Sequence, residues 1–338
     1  MFNDKTVLVT GGTGSFGTYF TEYLLKNYNP KKIIIYSRDE FKQFTMRNNM
    51  MQYDDTLRFF IGDVRDRDRL RRAFNGVDYV VHAAAMKQVP ACEYNPIEAI
   101  RTNIEGAVNV IDAAIDCDVK KVVALSTDKA VSPANLYGGT KFVSDKLFVS
   151  ANAYSGGKGT VFSIVRYGNV AGSRGSVIPF FRKLLNQGEQ CLPITDFRMT
   201  RFWIDLKGGV ELVVKALLES QGGETYISKI PSFKITDLAE AMAPGCELKE
   251  VGIREGEKMH EVMVGVEDSL TTYEFDKHYL VCPQLEWWND NGQVTAGGKK
   301  VEYGFEYDSG TNTEWLNVEQ LRKLVKRVEE ENAVRYKD

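Results

Sequence analysis

Short runs of branched and aromatic residues alternate, through the first half of the chain, with longer stretches whose apolar positions recur at helical spacing. The runs cover 6–9, 33–36, 57–61, 79–82, 122–125 and 161–165. Each is apolar at nearly every position, the pattern of a strand covered on both faces in a parallel sheet. Between them, 16–26, 39–51, 96–115 and 135–153 carry apolar residues three and four apart and predict helices. Repeated strand–helix units predict an α/β fold, a Rossmann-like doubly wound parallel sheet with a smaller mixed α/β C-terminal lobe. The rhythm breaks near residue 170, beyond which stand an apolar run at 201–204, a helix near 208–219 and a final helix over 318–330. The expected division is a doubly wound domain over 1–170 with a return segment at about 205–228, and a lobe from 171–204 and 229–338. No repeat or low-complexity linker separates the two.

At 338 residues the chain is large enough for such a unit plus a satellite. Its formal net charge of −3, with both signs interspersed, points away from nucleic acid and from a polybasic membrane anchor, so an anionic ligand has to be held locally. Cys92, Cys117, Cys191, Cys246 and Cys282 are widely spaced and contain no CxxC pair, which fits a reducing cytoplasm rather than a disulfide framework. The chain enters its first strand at Lys5 without a signal peptide, and no apolar run reaches the ~18 residues of a membrane span. A soluble, cytoplasmic protein is expected. His82, His260 and His278 lack ligand spacing, and no metal is expected.

Directly after the first strand, Gly12, Gly14 and Gly17 satisfy GxGxxG within Gly11-Gly-Thr-Gly-Ser-Phe-Gly17. Glycines allow a tight turn and close backbone approach to a pyrophosphate, and the helix beginning near Phe16 aims its positive end at the same charge. Gly11, Thr13, Gly14, Ser15, Phe16 and Gly17 are therefore candidate cofactor contacts. An acid at the end of the second strand selects NAD. Here that place holds Ser37 and Arg38, with Lys42 a turn later, a set suited to the 2′-phosphate of NADP. The alternative is that Arg38 and Lys42 are surface charges balanced by Asp39 and Glu40. After the third strand, Asp63 is placed to accept from adenine, beside Val64. After the fourth, Ala83 and Ala85 leave room for a flat cofactor, and Lys87 follows on the rim.

The fifth strand runs into Ser126-Thr-Asp-Lys129, and Tyr137 and Lys141 follow, four residues apart. On one helical face an ammonium stabilises a tyrosinate and lowers a pKa that starts near ~10, making a base for alcohol oxidation. Taken alone, YxxxK reads equally as a half-buried tyrosine beside a snorkelling lysine.

Together, Thr10-Gly-Gly-Thr-Gly-Ser-Phe-Gly17, Ala83-Ala-Ala85 and Tyr137-x-x-x-Lys141 resemble an extended short-chain dehydrogenase/reductase over nearly the whole chain. More narrowly, four strings are similar to the inverting UDP-N-acetylglucosamine 4,6-dehydratases that begin pseudaminic acid synthesis. They are Ala85-Met-Lys-Gln-Val-Pro90, Ser126-Thr-Asp-Lys-Ala130, Asn135-Leu-Tyr-Gly138 and Arg254-Glu-Gly-Glu-Lys-Met-His-Glu261. The resemblance implies that Tyr137 takes the 4-hydroxyl proton as C4 gives hydride to NADP, and that water leaves across C5 and C6. Hydride then returns to C6, giving UDP-2-acetamido-2,6-dideoxy-L-arabino-hexos-4-ulose.

In dTDP-glucose 4,6-dehydratases an Asp-Glu pair stands where this chain has Asp128-Lys129. The inverting resemblance implies Asp128 as the acid and Lys129 as the H5 base, with Thr127 orienting the 4-hydroxyl. A lysine base has to be neutral when it acts, which calls for a depressed pKa. It further implies Asn169 on the substrate phosphate, Arg201, Arg254 and Glu257 on the UDP moiety, and Lys87 near cofactor ribose or substrate. An arginine in these segments equally suits an inter-lobe carboxylate. The helices at 96–115 and 135–153 resemble the family's dimer-forming pair, so a homodimer or a larger homo-oligomer, up to a hexamer, is expected. A UDP-sugar epimerase acting at C3, C4 or C5, and a non-catalytic NADP-sensing protein, stand as alternatives. The segment 273–310, with its Gln284-Leu-Glu-Trp-Trp288 cluster, receives no role.

Overall fold

The computed structural model describes residues 1–335 apart from 156–158, 174–175, 287 and 289–291, so Trp287 of the aromatic cluster lies outside the described residues. Six parallel strands form the heart of a ten-stranded sheet. They are β1 (Thr6–Thr10), β2 (Lys32–Ser37), β3 (Leu57–Ile61), β4 (Tyr79–His82), β5 (Lys121–Thr127) and β6 (Val161–Tyr167), in the spatial order β3-β2-β1-β4-β5-β6. The order reverses between β1 and β4, which opens a crevice at the carboxyl ends of those two strands. Register runs Val9 to Ile35 on one side and Val9 to Val81 on the other, all three residues fully buried.

Helices cover both faces, as continuous apolar strands require. The helices of the N-terminal part are α1 (Ser15–Asn27), α2 (Glu40–Asn49), α3 (Arg67–Phe74), α4 (Val89–Tyr94), α5 (Pro96–Ile100), α6 (Gly106–Asp116) and α7 (Leu136–Tyr154). Further on come α8 (Val177–Asn186), α9 (Leu206–Glu219), α10 (Ile235–Met242) and α11 (Val318–Arg335). Phe20 and Leu24 of α1 and Val213 and Leu217 of α9 fill one face of the sheet. Leu70, Val110, Ile111 and Phe148 fill the other.

One expected element differs. The single helix over 96–115 is broken between α5 and α6 by a π-helical turn, Arg101–Glu105. The buried side chain of Asn103 accepts from Met86 N at 2.8 Å and donates to Met86 O at 2.9 Å and Thr140 Oγ1 at 3.0 Å. A widened turn lets one amide serve both the post-β4 loop and α7.

Beyond residue 170 a separate apolar cluster joins Phe181, Leu192, Trp203, Phe233, Leu238 and Leu321. Short strand pairs shape this region: β7 (Cys191–Ile194) with β11 (Glu247–Glu250), β8 (Thr200–Phe202) with β10 (Ser232–Lys234), and β12 (Val262–Val264) with β16 (Tyr307–Asp308). The segment left without a role returns to the large sheet instead. After β9 (Thr225–Ser228), which lies parallel to β6, the sheet continues antiparallel through β14 (His278–Val281), β13 (Thr272–Glu274) and β15 (Lys299–Lys300). Trp288 donates its indole N–H to Gly222 O at 2.7 Å, pinning the segment beside β9. Among the described residues no helix is long and apolar enough to cross a membrane. Tyr94, Ile97, Val108, Phe142, Val143 and Tyr154 leave apolar surface exposed along α4 to α7.

Candidate active site

The crevice above β1 and β4 is built for a flat anionic ligand. Gly11 adopts φ +65°, and a Cβ there would stand 2.9 Å from Ala84 backbone atoms; one on Gly12 would meet Ile35 at 2.8 Å. A Cβ on Gly17 would meet the Gly12 carbonyl at 2.5 Å, so α1 sits directly on the loop. Gly14 caps α1 without any side-chain hydrogen bond, and the positive end of the helix opens on the glycine loop. Thr13 is buried in the loop, Ser15 opens α1, and Phe16 stacks on Tyr167. Across the crevice the Ala83 and Ala84 N–H groups both donate to Thr10 Oγ1 at 3.2 Å. Ala85 and Lys87 are exposed beyond them. These residues fit a dinucleotide: close backbone approach, no side chains in the way, and a helix dipole aimed inward.

At the end of β2, Ser37 is buried and takes a hydrogen bond from Gln43 Nε2 at 3.0 Å. Arg38 is exposed and stands 3.6 Å from Asp63, whose carboxylate is held mainly by Arg65 at 2.7 Å. Lys42 pairs with Asp39 at 2.9 Å while Asp39 also caps α2. Asp63 is thus already engaged by two guanidiniums, and Lys42 is partly neutralised. Val64 is buried against Gly106, and its carbonyl accepts from Asn109.

The chemistry-bearing residues converge where β5 ends. Asp128, Lys129 and Ala130 form a 3₁₀ turn capped by Thr127, and α7 begins at Leu136 with Asn135 accepting from Gly138 N at 2.8 Å. Tyr137 lies inside the first turn of α7, and Lys141 is one turn on, 3% exposed. Gly138 has no room for a side chain because the Lys129 carbonyl lies against it. The two segments are therefore packed backbone to backbone.

Hydrogen bonds and ion pairs string the polar groups into one chain. Thr127 Oγ1 donates to Asp128 Oδ1 at 2.8 Å. Lys129 Nζ donates to Asp128 Oδ1 at 3.1 Å, to Glu261 Oε1 at 3.0 Å and to Asn169 Oδ1 at 3.4 Å. Arg201 Nε stands 3.6 Å from Glu261, and its Nη1 donates to the Thr200 and Met259 carbonyls. Arg201 is thus turned toward the carboxylate that also holds Lys129. Arg254 and Glu257 pair with each other at 4.0 Å in an adjoining loop, which meets α7 where Asn135 donates to Gly256 O.

Two electrostatic expectations are corrected here. Burial pushes the Tyr137 phenol up to about 12, and the groups drawing it back are Lys129 and Thr127 rather than Lys141. The Lys141 ammonium is itself depressed by burial, opposed by Asp145. Asp145 is buried with Ser126 donating to it at 2.5 Å. For Lys129, burial works toward the neutral amine, yet Asp128 and Glu261 outweigh it and raise the pKa. The lysine is held as an ammonium, not poised as a free amine. Burial and then Glu261 raise the Asp128 carboxyl, whereas Lys129 and Arg201 overcome burial and lower Glu261.

Glu261 was missed by reasoning from sequence, although it closes the string Arg254-Glu-Gly-Glu-Lys-Met-His-Glu261. Nothing local marks it, since its partner Lys129 is 132 residues away. Among the described residues, no group of three or more His, Cys, Asp or Glu side chains converges on a metal position.

Comparison with known proteins places this arrangement. Residues 7–283 match a family described as polysaccharide biosynthesis protein. A UDP-N-acetylglucosamine 4,6-dehydratase (inverting) from Campylobacter jejuni is 54% identical over 334 residues, covering 97% of this chain and 99% of the relative. A UDP-glucose 4-epimerase from Rickettsia akari is 42% identical over 96% of each chain. The X-ray structure of Pen from Bacillus thuringiensis superposes with a TM-score of 0.88 at 38% identity, covering 97% of this chain and 99% of that one. The dTDP-glucose 4,6-dehydratase DesIV from Streptomyces venezuelae shares the fold, with a TM-score of 0.66 at 24% identity over 75% of this chain and 86% of its own.

Proposed function

From the premise that this chain belongs to the polysaccharide biosynthesis family of short-chain dehydrogenase/reductase-type dehydratases and epimerases, we propose that it is a C5-inverting UDP-N-acetylglucosamine 4,6-dehydratase, a hydro-lyase using NADP. The observation that carries this reading is the contact of Asp128 with Lys129 at 3.1 Å, one hydrogen bond from Thr127 and in the electrostatic reach of Tyr137. A simple epimerase needs the tyrosine and lysine but has no use for an acid and a second base. The 54% identity to an inverting dehydratase supports the same choice.

NADP, when bound, accepts hydride from C4 and returns it to C6. The protein's own groups do the rest. Gly11, Gly12 and the first turn of α1 receive the pyrophosphate, and Arg38 receives the 2′-phosphate. Tyr137, oriented with Thr127, takes the 4-hydroxyl proton, and the Lys129 charge favours the tyrosinate, with Lys141 one helical turn further on. Lys129 begins as an ammonium. Moving one proton across the 3.1 Å contact to Asp128 makes both partners of the elimination, a neutral amine facing H5 and a carboxylic acid facing O6. The raised Asp128 carboxyl favours that transfer. Asn169, Arg254, Glu257 and Lys87 line the approach for UDP, and Arg201 acts on the diphosphate only through the edge of the charge cluster.

In this reading residues 1–170, with 205–228, bind the cofactor, while 171–204 and 229–338 bind substrate. The product is UDP-2-acetamido-2,6-dideoxy-L-arabino-hexos-4-ulose, feeding pseudaminic acid synthesis in the cytoplasm. The exposed apolar faces of α4 to α7 suit a homodimer.

Incubation with UDP-N-acetylglucosamine in deuterated water, followed by mass spectrometry and NMR, tests the reading. Loss of one water with deuterium and inverted configuration at C5 is expected. An isomer of unchanged composition would make the protein an epimerase, and no product on prolonged incubation would leave a binding protein.

A further inference from the structure

Lys129 is not served by Asp128 alone. Glu261 reaches it from the start of β12, and the mounting of Glu261 is rigid. Its N–H donates to Ser309 Oγ at 2.9 Å, its carbonyl accepts from Ser309 N at 2.9 Å, and Ser309 Oγ is in turn bonded to Thr200 Oγ1 at 2.8 Å. The Glu261 side chain is 3% exposed, with Oε1 on Lys129 and Oε2 buried without a protein partner. A carboxylate is costly to bury unless a cation answers it, so its place opposite Lys129 needs a reason. A base whose orientation is set by a third, buried group is the arrangement that supports proton abstraction in other active sites.

We propose that Glu261 is the positioning residue of an Asp128–Lys129–Glu261 triad, in which it aims Lys129 Nζ and stabilises the ammonium that forms when Lys129 takes H5 from the sugar. The inference rests on the dehydratase reading and adds a residue that reading does not need. The step balances within the site. The C5–H5 bond breaks and an N–H bond forms on Lys129. The electron pair becomes the C5–C6 double bond, the C6–O6 bond breaks, and O6 leaves as water with the Asp128 proton. Positive charge grows on Nζ 3.0 Å from a fixed anion, the situation in which a preorganised charge lowers the barrier most. The other charged or titratable groups facing Lys129 are Asp128, Tyr137, Arg201 and Lys258. Lys129 and then Arg201, whose Nε stands 3.6 Å from the same Oε1, keep Glu261 anionic.

Glu261→Gln keeps the shape and the Ser309 bonds while removing the charge. With UDP-N-acetylglucosamine, single-turnover absorbance should still report reduction of the cofactor, which confirms an intact fold and C4 oxidation. Steady-state dehydration and solvent exchange at H5 should fall by about a hundredfold, in kcat rather than KM. The pH limb on which dehydration rises should move to lower pH, because the Asp128–Lys129 pair loses the neighbouring carboxylate that raises the pKa of both groups. A merely structural glutamate would move neither the limb nor the ratio of oxidation to dehydration. A double-mutant cycle adds a second measure: Lys129→Ala and Lys129→Ala/Glu261→Gln should retain equal residual rates. Wild-type dehydration by Glu261→Gln with an unmoved limb, or a further loss on top of Lys129→Ala, would overturn the triad. If the wild-type protein itself formed no dehydrated product, the functional reading would fall instead.

Discussion

Gly168 lies against the Asp128 carboxylate so closely that a Cβ at that position would stand 2.9 Å from Oδ2. The residue after β6 therefore holds space for the acid, and the same Cβ would stand 3.3 Å from Met263 Cε. Gly168→Ala should displace the carboxylate at a cost of about 1–3 kcal/mol of stability. Cofactor reduction in a single turnover should survive while water loss slows, because Tyr137 does not depend on this contact. Equal slowing of both steps would show that the strain spreads beyond Asp128.

Asn103 is the joint between the post-β4 loop and α7. Asn103→Ala removes three hydrogen bonds and leaves Met86 N and O short of partners. The expected loss is about 2–4 kcal/mol, read as a lower denaturation midpoint, together with weaker cofactor binding as the loop carrying Ala83 and Ala85 loosens. Unchanged stability would mean that the π-helical turn is set by the backbone alone.

His82, buried on β4 with Nδ1 2.8 Å from Thr10 Oγ1, is held neutral by burial and then by the nearby Lys141 charge, which bring its pKa down to about 3. Folding lowers this pKa from about 6.5 in the unfolded chain. The neutral ring therefore contributes stability that is present above pH 6.5 and lost as the pH falls toward 3. The slope is about 1.4 kcal/mol per pH unit for this one group. Denaturation midpoints of His82→Gln against the wild type should converge as the solution is acidified from pH 7 to pH 4. A constant gap would refute the assignment.

Arg38 stands exposed at the end of β2 with only a 3.6 Å approach to Asp63. Arg38→Ala should weaken NADP binding by about ten- to a hundredfold, the worth of a charge-assisted contact, and leave NAD binding nearly unchanged. Calorimetry with both dinucleotides checks this; equal loss for both would remove the 2′-phosphate assignment.

Much of this molecule was legible before any tertiary structure. Strands covered on both faces have to be apolar throughout, so 6–9, 33–36, 79–82, 122–125 and 161–165 all lie inside observed strands, and 57–61 forms the more exposed edge strand β3. The glycine loop was readable because a left-handed turn and contact with Ala84 exclude side chains, and Tyr137 and Lys141 because four residues make one helical turn. These are local constraints, written within a few residues of where they act.

What only the tertiary structure decided depends on distance along the chain. The π-helical turn at Arg101–Glu105 exists because Asn103 meets Met86 and Thr140, and helical spacing alone cannot register that. Strands β13 to β15 join the main sheet because β9 offers an edge, which their short sequences do not announce. The protonation of Lys129 was likewise beyond reach. Burial alone argues for a neutral amine, and the ammonium prevails because folding buries Asp128 3.1 Å and Glu261 3.0 Å from its nitrogen. Sequence determined which groups are present at the end of β5, and burial together with the packing of Glu261 against them determined which of them carry charge.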